Sequence, residues 1–549
     1  MAKTFDPISL EIMWNRLTSV ADEAAATLLR TSFSTIVKES NDYACVLLDA
    51  EGNGLANNTA SIPSFIATVP RTVREFLKKF PKDQWQPGDV VMTNDPWLAS
   101  GHLPDITMAM PIFYNDKIVA FAGTIAHSPD IGGSVWSADT RELYEEGIRI
   151  PIMKLYSAGT PNEPLMDILR ENVRVPEKVF GDLNAQITAQ TMCRNRLIEF
   201  LEDTGLDDLV DLAEEIQSRA ERVMRNAILT VPDGVYKKAV EMDGYESPIT
   251  LNCKITVSGD TLDIDFAGSS PQIGRALNCV MNYTYSYAAY PIKCALDPHT
   301  PRNEGSYRPI TVSAPEGSIL NPIIPAPVNA RQIIGHMLSA CVYGALLKAI
   351  PERIKAESGS QPTLRALFTG NGLNNEKFSS ILFANGGMGA RYHKDGLSCT
   401  PFPTNSSCGS IEVLETTAPL IFWKKEMLKD SGGPGRYRGG LGQEIVVEVI
   451  SKDPIRVSLL TDRHQHPASG YMEGMPGSPN KLVLNDGQFI HPKSQTYLNP
   501  GDRLTINYAG GGGFGPPCER EPEKIKADLA DELISEAKAE TVYGLKGGM

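Results

Sequence analysis

One four-residue phrase stands on both sides of a short β-like stretch, and this repetition constrains the fold more than any other feature. His-x-Pro-Asp occurs at residues 102–105 in "GHLPDITMAM" and again at 127–130 in "TIAHSPDIGG", in a chain with only eight histidines. Between them, "ITMAMPIFYNDKIVAFAGTIA" holds two β-prone apolar runs that meet at Asn115-Asp116, a favoured turn pair. In a hairpin folded about that pair, the numbers of opposed residues sum to about 231. His127 is then expected opposite Pro104, between His102 and Asp105. Both histidines and at least one aspartate share the open end of one hairpin. A register slip changes which side chains face inward but does not separate them.

Neutral imidazoles beside carboxylates suit a divalent metal such as zinc, manganese or ferrous iron. A further carboxylate is available from Asp42, just before the apolar run "YACVLLD", or from Asp95 in "TNDPW". A lone histidine is more often a hydrogen-bonding residue at a strand end. Two of them, each followed by an Asp and joined by a hairpin, favour the metal.

The rest of the chain excludes several alternatives. A formal charge of −14 over 549 residues, without a basic cluster interleaved with aromatics, argues against nucleic acid or an anionic membrane as partner. No apolar run reaches the ~18 residues of a membrane span, and the N-terminus lacks a signal-peptide pattern. Nine scattered cysteines with no C-x-x-C predict reduced thiols and a cytoplasmic protein. The glycine-rich stretches "ANGGMGARYHKDG", "DSGGPGRYRGGLGQ" and "YAGGGGFGPP" contain no P-loop. They read as loops needing positive φ or close backbone approach, with Arg391, Arg436 and Arg438 as anion-holding candidates. No G-x-S-x-G is present. Cys408 reads as buried structural cysteine rather than nucleophile. His464 and His466 in "TDRHQHPASG" suggest either a second polar site or a loop anchoring an interface.

The predicted architecture is α+β and multidomain. Residues 1–230 form an α/β domain with the metal-binding hairpin and a helical segment, 231–515 a β-rich and glycine-rich domain, and 516–549 a helical tail. Asp6-Pro7 opens a helix in which Ile8, Ile12, Met13, Leu17 and Val20 recur at helical spacing. Two amphipathic helices separated by Gly205 follow Pro164. A single helix is expected over 330–350, within a strand-like region that begins near 232.

These residues carry a resemblance. "NDYACVLLDAEGN", "GDVVMTNDPWLASGHLPDIT", "AHSPDIGG", "ELYEEGIRIPIMKL", "NVRVPEKVFGDLNAQITA", "GGMGARYHKDG", "DSGGPGRYRGGLG", "TDRHQHPASG" and "GGGGFGPPCEREPEKI" together resemble the hydantoinase B/oxoprolinase family, almost end to end. The resemblance implies a subunit of an ATP-dependent hydrolase of cyclic amides (hydantoins, 5-oxoproline or lactams). Its partner, a hydantoinase A-type subunit, uses the ATP and makes a phosphorylated intermediate. It also implies a hetero-oligomer, and one divalent metal, zinc or manganese foremost, on Asp42, His102, Asp105 and His127. Asp130 is expected to orient a ligand, while Glu146 and Arg149 supply polarity for the substrate. Where many members read Ala-His-His, this chain has Ala126-His127-Ser128. Two other readings stay open: a subunit of an ATP-dependent ketone carboxylase, and a non-catalytic scaffold for the partner.

Overall fold

A computed structural model describes residues 5–545, apart from residues 135 and 486 and the side chain of residue 66. The fold is mixed α/β with four sheets. Helix α1 (Pro7–Thr31) starts where Asp6 accepts hydrogen bonds from the backbone N–H groups of Ile8 and Ser9, and the short α2 (Thr35–Ser40) follows. The core-facing side of α1 is made by Leu10, Trp14, Leu17, Val20 and Leu28, whereas Ile8 and Ile12 of the expected apolar spacing lie in solvent.

The first sheet contains β1 (Tyr43–Asp49), β2 (Gly54–Asn57), then, after α3 (Pro63–Lys79), β3 (Val90–Thr93), β4 (Asp105–Tyr114), β5 (Lys117–His127), β6 (Met153–Ser157) and β7 (Thr160–Pro161). Its strands are antiparallel, in the order β2-β1-β5-β4-β3-β6-β7. Helix α3 covers one face. Helix α1 and α5 of the next group, α4 (Glu163–Asn172), α5 (Pro176–Thr204) and α6 (Val210–Ile228), cover the other. With both faces covered, β4 and β5 read as continuous apolar runs instead of alternating ones. Gly205 adopts φ +64° as it ends α5, the left-handed geometry a glycine C-cap supplies.

The expected hairpin is present with its turn at Asn115-Asp116, both at positive φ. Its register follows the 231 rule only next to the turn. A bulge between Ile112 and Phe113 shifts the remaining pairs by one, so His127 faces Asp105 instead of Pro104.

A second sheet holds β8 (Gly234–Met242), β9 (Ile249–Ser258), β10 (Thr261–Asp265) and, after helix α7 (Met281–Leu296), β11 (Ile310–Ser313), which runs parallel to β10. Helix α7 lies within the region expected to be strand-like. The helix expected over 330–350 is two shorter pieces, α8 (Gln332–Gly335) and α9 (Leu338–Leu346).

Beyond them come β12 (Leu364–Asn371), β13 (Lys377–Ala384), α10 (Ile411–Thr417), β14 (Leu420–Met427), β15 (Gln443–Val449), β16 (Ile455–Leu460), β17 (Lys481–Leu484), β18 (Gln488–Phe489), β19 (Gln495–Leu498) and β20 (Arg503–Asn507). They form two sheets, β13-β12-β16-β19 and β14-β15-β20-β17-β18, which share one core through residues such as Phe368, Val457, Val447 and Ile506. The C-terminal segment is helical in two pieces, α11 (Pro522–Ala530) and α12 (Glu536–Thr541).

The three glycine-rich stretches meet here as extended segments bonded backbone to backbone. Gly387 N–H donates to Ala509 O at 3.0 Å, Gly440 N–H to Met388 O at 2.8 Å, and Gly511 N–H to Gly440 O at 3.0 Å. A Cβ on Gly387 would lie 1.8 Å from the Gly440 oxygen. Of the two reasons for glycine, close approach applies here, since neither Gly387 nor Gly511 has positive φ.

Candidate metal centre

The antiparallel register puts three site residues in one row across the first sheet. On β4, Asp105 is the Cα partner of His127 on β5. On the other side of His127, β1 pairs Tyr43 with Ala126, and the backbone N–H of His127 donates to the carbonyl of Asp42. His102 arrives from the turn before β4. All four residues are buried.

Asp105 Oδ1 is the hub, 2.8 Å from His102 Nε2 and 2.9 Å from His127 Nδ1. Ligand atoms of these three residues lie within 4.8 Å of one another. Asp42 Oδ2 is 3.8 Å from His127 Nδ1.

His102 Nδ1 donates to the carbonyl of Asn329 at 3.0 Å, which fixes the tautomer and leaves the Nε2 lone pair facing Asp105. Burial, aided by Arg331 and opposed by Asp105, pushes the imidazole down to about 3, so it is neutral at pH 7. The Nε2 atom is buried without a hydrogen-bond donor. A lone pair held 2.8 Å from a carboxylate oxygen, with no proton between them, is a place for a cation. The donor set of two imidazoles and carboxylates fits zinc or manganese.

The other carboxylate oxygen is held from behind. Asp105 Oδ2 accepts from Arg331 Nη2 at 2.5 Å and from the Ser100 hydroxyl. Arg331 also donates to Ser100 O at 2.7 Å and stacks on Tyr283, with its guanidinium carbon 4.2 Å from the ring centroid. Gly101, at φ +98°, makes this approach possible, since a Cβ there would meet Arg331 Cδ at 2.9 Å. Burial alone would raise the Asp105 carboxyl. The Arg331 guanidinium outweighs it and holds the group well below the usual carboxylate range. Asp42 is raised by burial, with His127 and Arg365 acting against the rise.

A small cavity opens on this centre, lined by Asp42, His102, Asp105, His127, Tyr287 and Arg365 among others. Arg365 of β12 stacks on Trp136 (4.7 Å) and Phe383 (5.0 Å), and its Nε atom is buried without a partner.

The other predicted residues have different surroundings. Glu146 is buried, and its Oε1 accepts from Thr140 Oγ1 at 2.9 Å and from the backbone N–H groups of Val328 (2.8 Å) and Asn329 (2.9 Å). It acts on His102 at one remove, by holding the backbone up to Asn329, whose own carbonyl, in the next peptide unit, accepts from the imidazole and, at 2.7 Å, from Trp136 Nε1. Burial pushes the Glu146 carboxyl up to about 8. Asp130 turns to Arg174, with Oδ1 2.7 Å from Nη1, and not to either imidazole. Arg149 clamps Asp95 Oδ2 at 2.5 Å, which ties up the alternative carboxylate. Ser128 donates to Asp130 O at 2.8 Å and lines a neighbouring cavity with His127, Glu146 and Asn329.

Among the remaining sequence candidates, the Cys408 thiol is raised by burial and donates to Phe383 O at 3.2 Å. The backbone N–H groups of His464 and His466 donate to Asp243, which clamps that loop to the end of β8. Arg438 is buried against Asp528. Arg331, Arg365, Asn329, Ser100 and the two tyrosines had no signal in the sequence, because their relation to the histidines is entirely tertiary.

Fold and site together define a class. The family model described as hydantoinase B/oxoprolinase matches residues 6–517, and the chain belongs to that family. The caprolactamase subunit beta of Pseudomonas jessenii is 30% identical over 567 residues, spanning 99% of this chain and 96% of that one. The crystal structure of ATP-dependent caprolactamase from Pseudomonas jessenii is similar with a TM-score of 0.92 and 28% identity, over 100% of this chain and 97% of that one. Acetone carboxylase in its nucleotide-free structure shares the fold, with a TM-score of 0.90 at 20% identity, over 98% of this chain and 79% of that one. No helix among the described residues is long and apolar enough to cross a membrane.

Proposed function

We propose that this chain is the metal-binding, ring-opening subunit of an ATP-dependent hydrolase of cyclic amides. It works with a separate hydantoinase A-type subunit that uses ATP to phosphorylate the ring amide. The observation that carries this reading is the buried lone pair of His102 Nε2 facing Asp105 Oδ1, in a chain with end-to-end kinship to a caprolactamase subunit. An unstrained amide is a poor electrophile with a poor leaving group, and phosphorylation of its oxygen corrects both. The described residues contain no phosphate-cradling P-loop, so ATP use falls to the partner.

Asp42, His102, Asp105 and His127 hold the metal, which, when bound, supplies Lewis acidity for the reacting carbon's oxygen or for the attacking water. Arg331 and Ser100 aim Asp105 by occupying its outer oxygen. Arg365, buried without an ion-pair partner among the described residues, faces the cavity as a fixed positive charge for the phosphate or for developing negative charge at the opening ring. Glu146 positions His102 through the backbone of Asn329. Asp130 and Arg149 act farther out, Asp130 at the rim of the neighbouring cavity and Arg149 by holding Asp95.

The test is ADP release by the complex purified with its partner, with metal content determined on the same sample. Lactams, 5-oxoproline and hydantoins are offered first, then ketones with bicarbonate. ADP release coupled to ring opening, with about one metal per chain, is expected. ADP release only with ketone and bicarbonate moves the chain to carboxylation. Full activity in a metal-free His102→Ala complex leaves it a scaffold.

A further inference from the structure

A second, small pocket lies between β1–β2 and the α3–α7 pair, and its charge is opposite to that of the chain. Arg71 and Arg74 of α3 and Arg302 line it, with Glu304 as the one carboxylate of the lining. Arg74 is engaged, with Nη1 3.2 Å from Glu304 Oε1 and donating to Asn53 Oδ1 at 3.2 Å. Arg71 lies over Tyr285, its guanidinium carbon 3.7 Å from the ring centroid, which uses the flat face of the group and leaves N–H donors at its edge. Among the described residues, neither Arg71 nor Arg302 has a carboxylate within ion-pair distance.

An independent observation comes from Asn303. Its Oδ1 accepts from Gly305 N–H at 2.9 Å, which fixes the amide, while its Nδ2 is buried without an acceptor on a residue only 3% exposed. Among the described residues, the lining therefore offers two guanidinium groups without a carboxylate, one amide donor without an acceptor and a net charge of two positives. The complement is a small oxyanion carrying two negative charges. Guanidinium N–H groups bind phosphate oxygens through paired, charge-assisted hydrogen bonds.

We propose that this cavity binds a small phosphate-bearing anion at a site separate from the metal centre. The two cavities have no lining residue in common, yet both are built on α3 and α7: Ser64, Phe65, Tyr283 and Tyr287 face the metal cavity, and Arg71 and Tyr285 face this one. The shared chemistry, a dianionic phosphate, can come as free phosphate or as the phosphate end of a larger molecule.

The experiment is calorimetric titration of the purified full chain with inorganic phosphate, and separately with ADP, at constant ionic strength. Saturable one-site binding is expected. Arg302→Gln removes a donor and leaves the Arg302 carbonyl to hold Asn57. Asn303→Asp keeps the Oδ1 acceptor and places a negative charge where Nδ2 points. Each variant is expected to weaken binding at least about tenfold, and if one folds poorly the other decides. His102→Ala should leave the affinity unchanged. Tighter binding of phosphate identifies free phosphate as occupant, and tighter binding of ADP identifies a larger phosphate-bearing ligand; both uphold the site. Absence of saturable binding to either probe overturns it, as does full affinity in both pocket variants or loss of binding in His102→Ala.

Discussion

The imidazole of His102 and the carbonyl of Asn329 are 227 residues apart in sequence and 3.0 Å apart in space. That bond decides which ring nitrogen of His102 carries the hydrogen and so leaves Nε2 with the free lone pair that the proposed metal site needs. His102→Ala should therefore strip the metal from the purified complex and lower ring opening with it. Arg331→Met, which releases Asp105 Oδ2, should keep the ligand set and weaken the metal about 10- to 100-fold. Competition with a chelator of known affinity measures both. An unchanged metal content in His102→Ala would remove the basis of the site.

Asp42 and Asp130 both belong to the predicted constellation, but the sheet separates their tasks. Asp42 extends the row of His127 and Asp105, whereas Asp130 is tied to the half-exposed Arg174. Asp42→Asn should weaken the metal by more than about tenfold. Asp130→Asn should leave it in place and cost about 1–3 kcal/mol of stability, because the carboxylate also accepts from the backbone N–H groups of Gly132 and Arg174. Metal analysis beside thermal melts separates the two outcomes.

Glu146 gives a pH signature. Its ordinary value is 4.5, and burial raises it to about 8 in the folded chain. The folded state keeps a proton that the unfolded state has released, so this group's stabilising contribution is complete below about pH 4.5 and is lost as the pH rises through about 8. The full span is on the order of 4–5 kcal/mol. Glu146→Gln keeps an acceptor for the N–H groups of Val328 and Asn329 and removes the titration. It should flatten this part of the stability profile and melt higher than wild type at pH 8, seen in melts across pH 5 to 9.

The glycine bundle predicts one of the most damaging single methyl groups in the chain. In Gly387→Ala the new Cβ meets backbone on two sides, the Gly440 oxygen at 1.8 Å and Gly511 N at 2.6 Å, and backbone cannot step aside as a side chain can. The cost should exceed about 4 kcal/mol, in the range reserved for severe core changes. Gly274→Ala is the control, with nothing within 4 Å of its Cβ. Soluble yield and melting temperature of the pair check this.

The hairpin was legible because its signals are local: a turn pair, two apolar runs and a repeated phrase. Its register was legible only to within one residue. The bulge at Ile112 and Phe113 is set by how the sheet twists, and the shift it causes is what pairs Asp105 with His127. Helix α7 was hidden for another reason. Its Tyr283-x-Tyr285-x-Tyr287 alternation reads like a strand, and the helix puts Tyr285 on one cavity while Tyr283 and Tyr287 face the other. Asn329, Arg331 and Arg365 reach the centre from segments more than 200 residues downstream of His102. An arginine in a strand carries no mark that it will be buried beside a metal site, and a carbonyl acceptor carries none at all. Glu146 stands out in the sequence only for its polarity, and only the fold shows that it bonds the N–H of the residue whose carbonyl meets His102.

Arg365 carries the last prediction. A guanidinium at 4% exposure, stacked between Trp136 and Phe383 and without a carboxylate partner among the described residues, is costly to bury. The cavity it faces already contains the carboxylates of Asp42 and Asp105, with Asp105 neutralised by Arg331. Under the proposed function its positive charge meets the negative charge that arrives with the phosphorylated ring or develops as the ring opens. Arg365→Gln should keep the metal, because no ligand changes, and lower kcat by about 10²- to 10³-fold, the usual effect of deleting one such electrostatic contact. Arg365→Lys keeps the charge but loses the planar stack, and should recover part of that rate. If Arg365 only filled space between its two aromatic neighbours, both variants would melt lower and turn over at the wild-type rate. Single-turnover ring opening, measured beside metal content and melting temperature, distinguishes a charge used in the reaction from one used in packing.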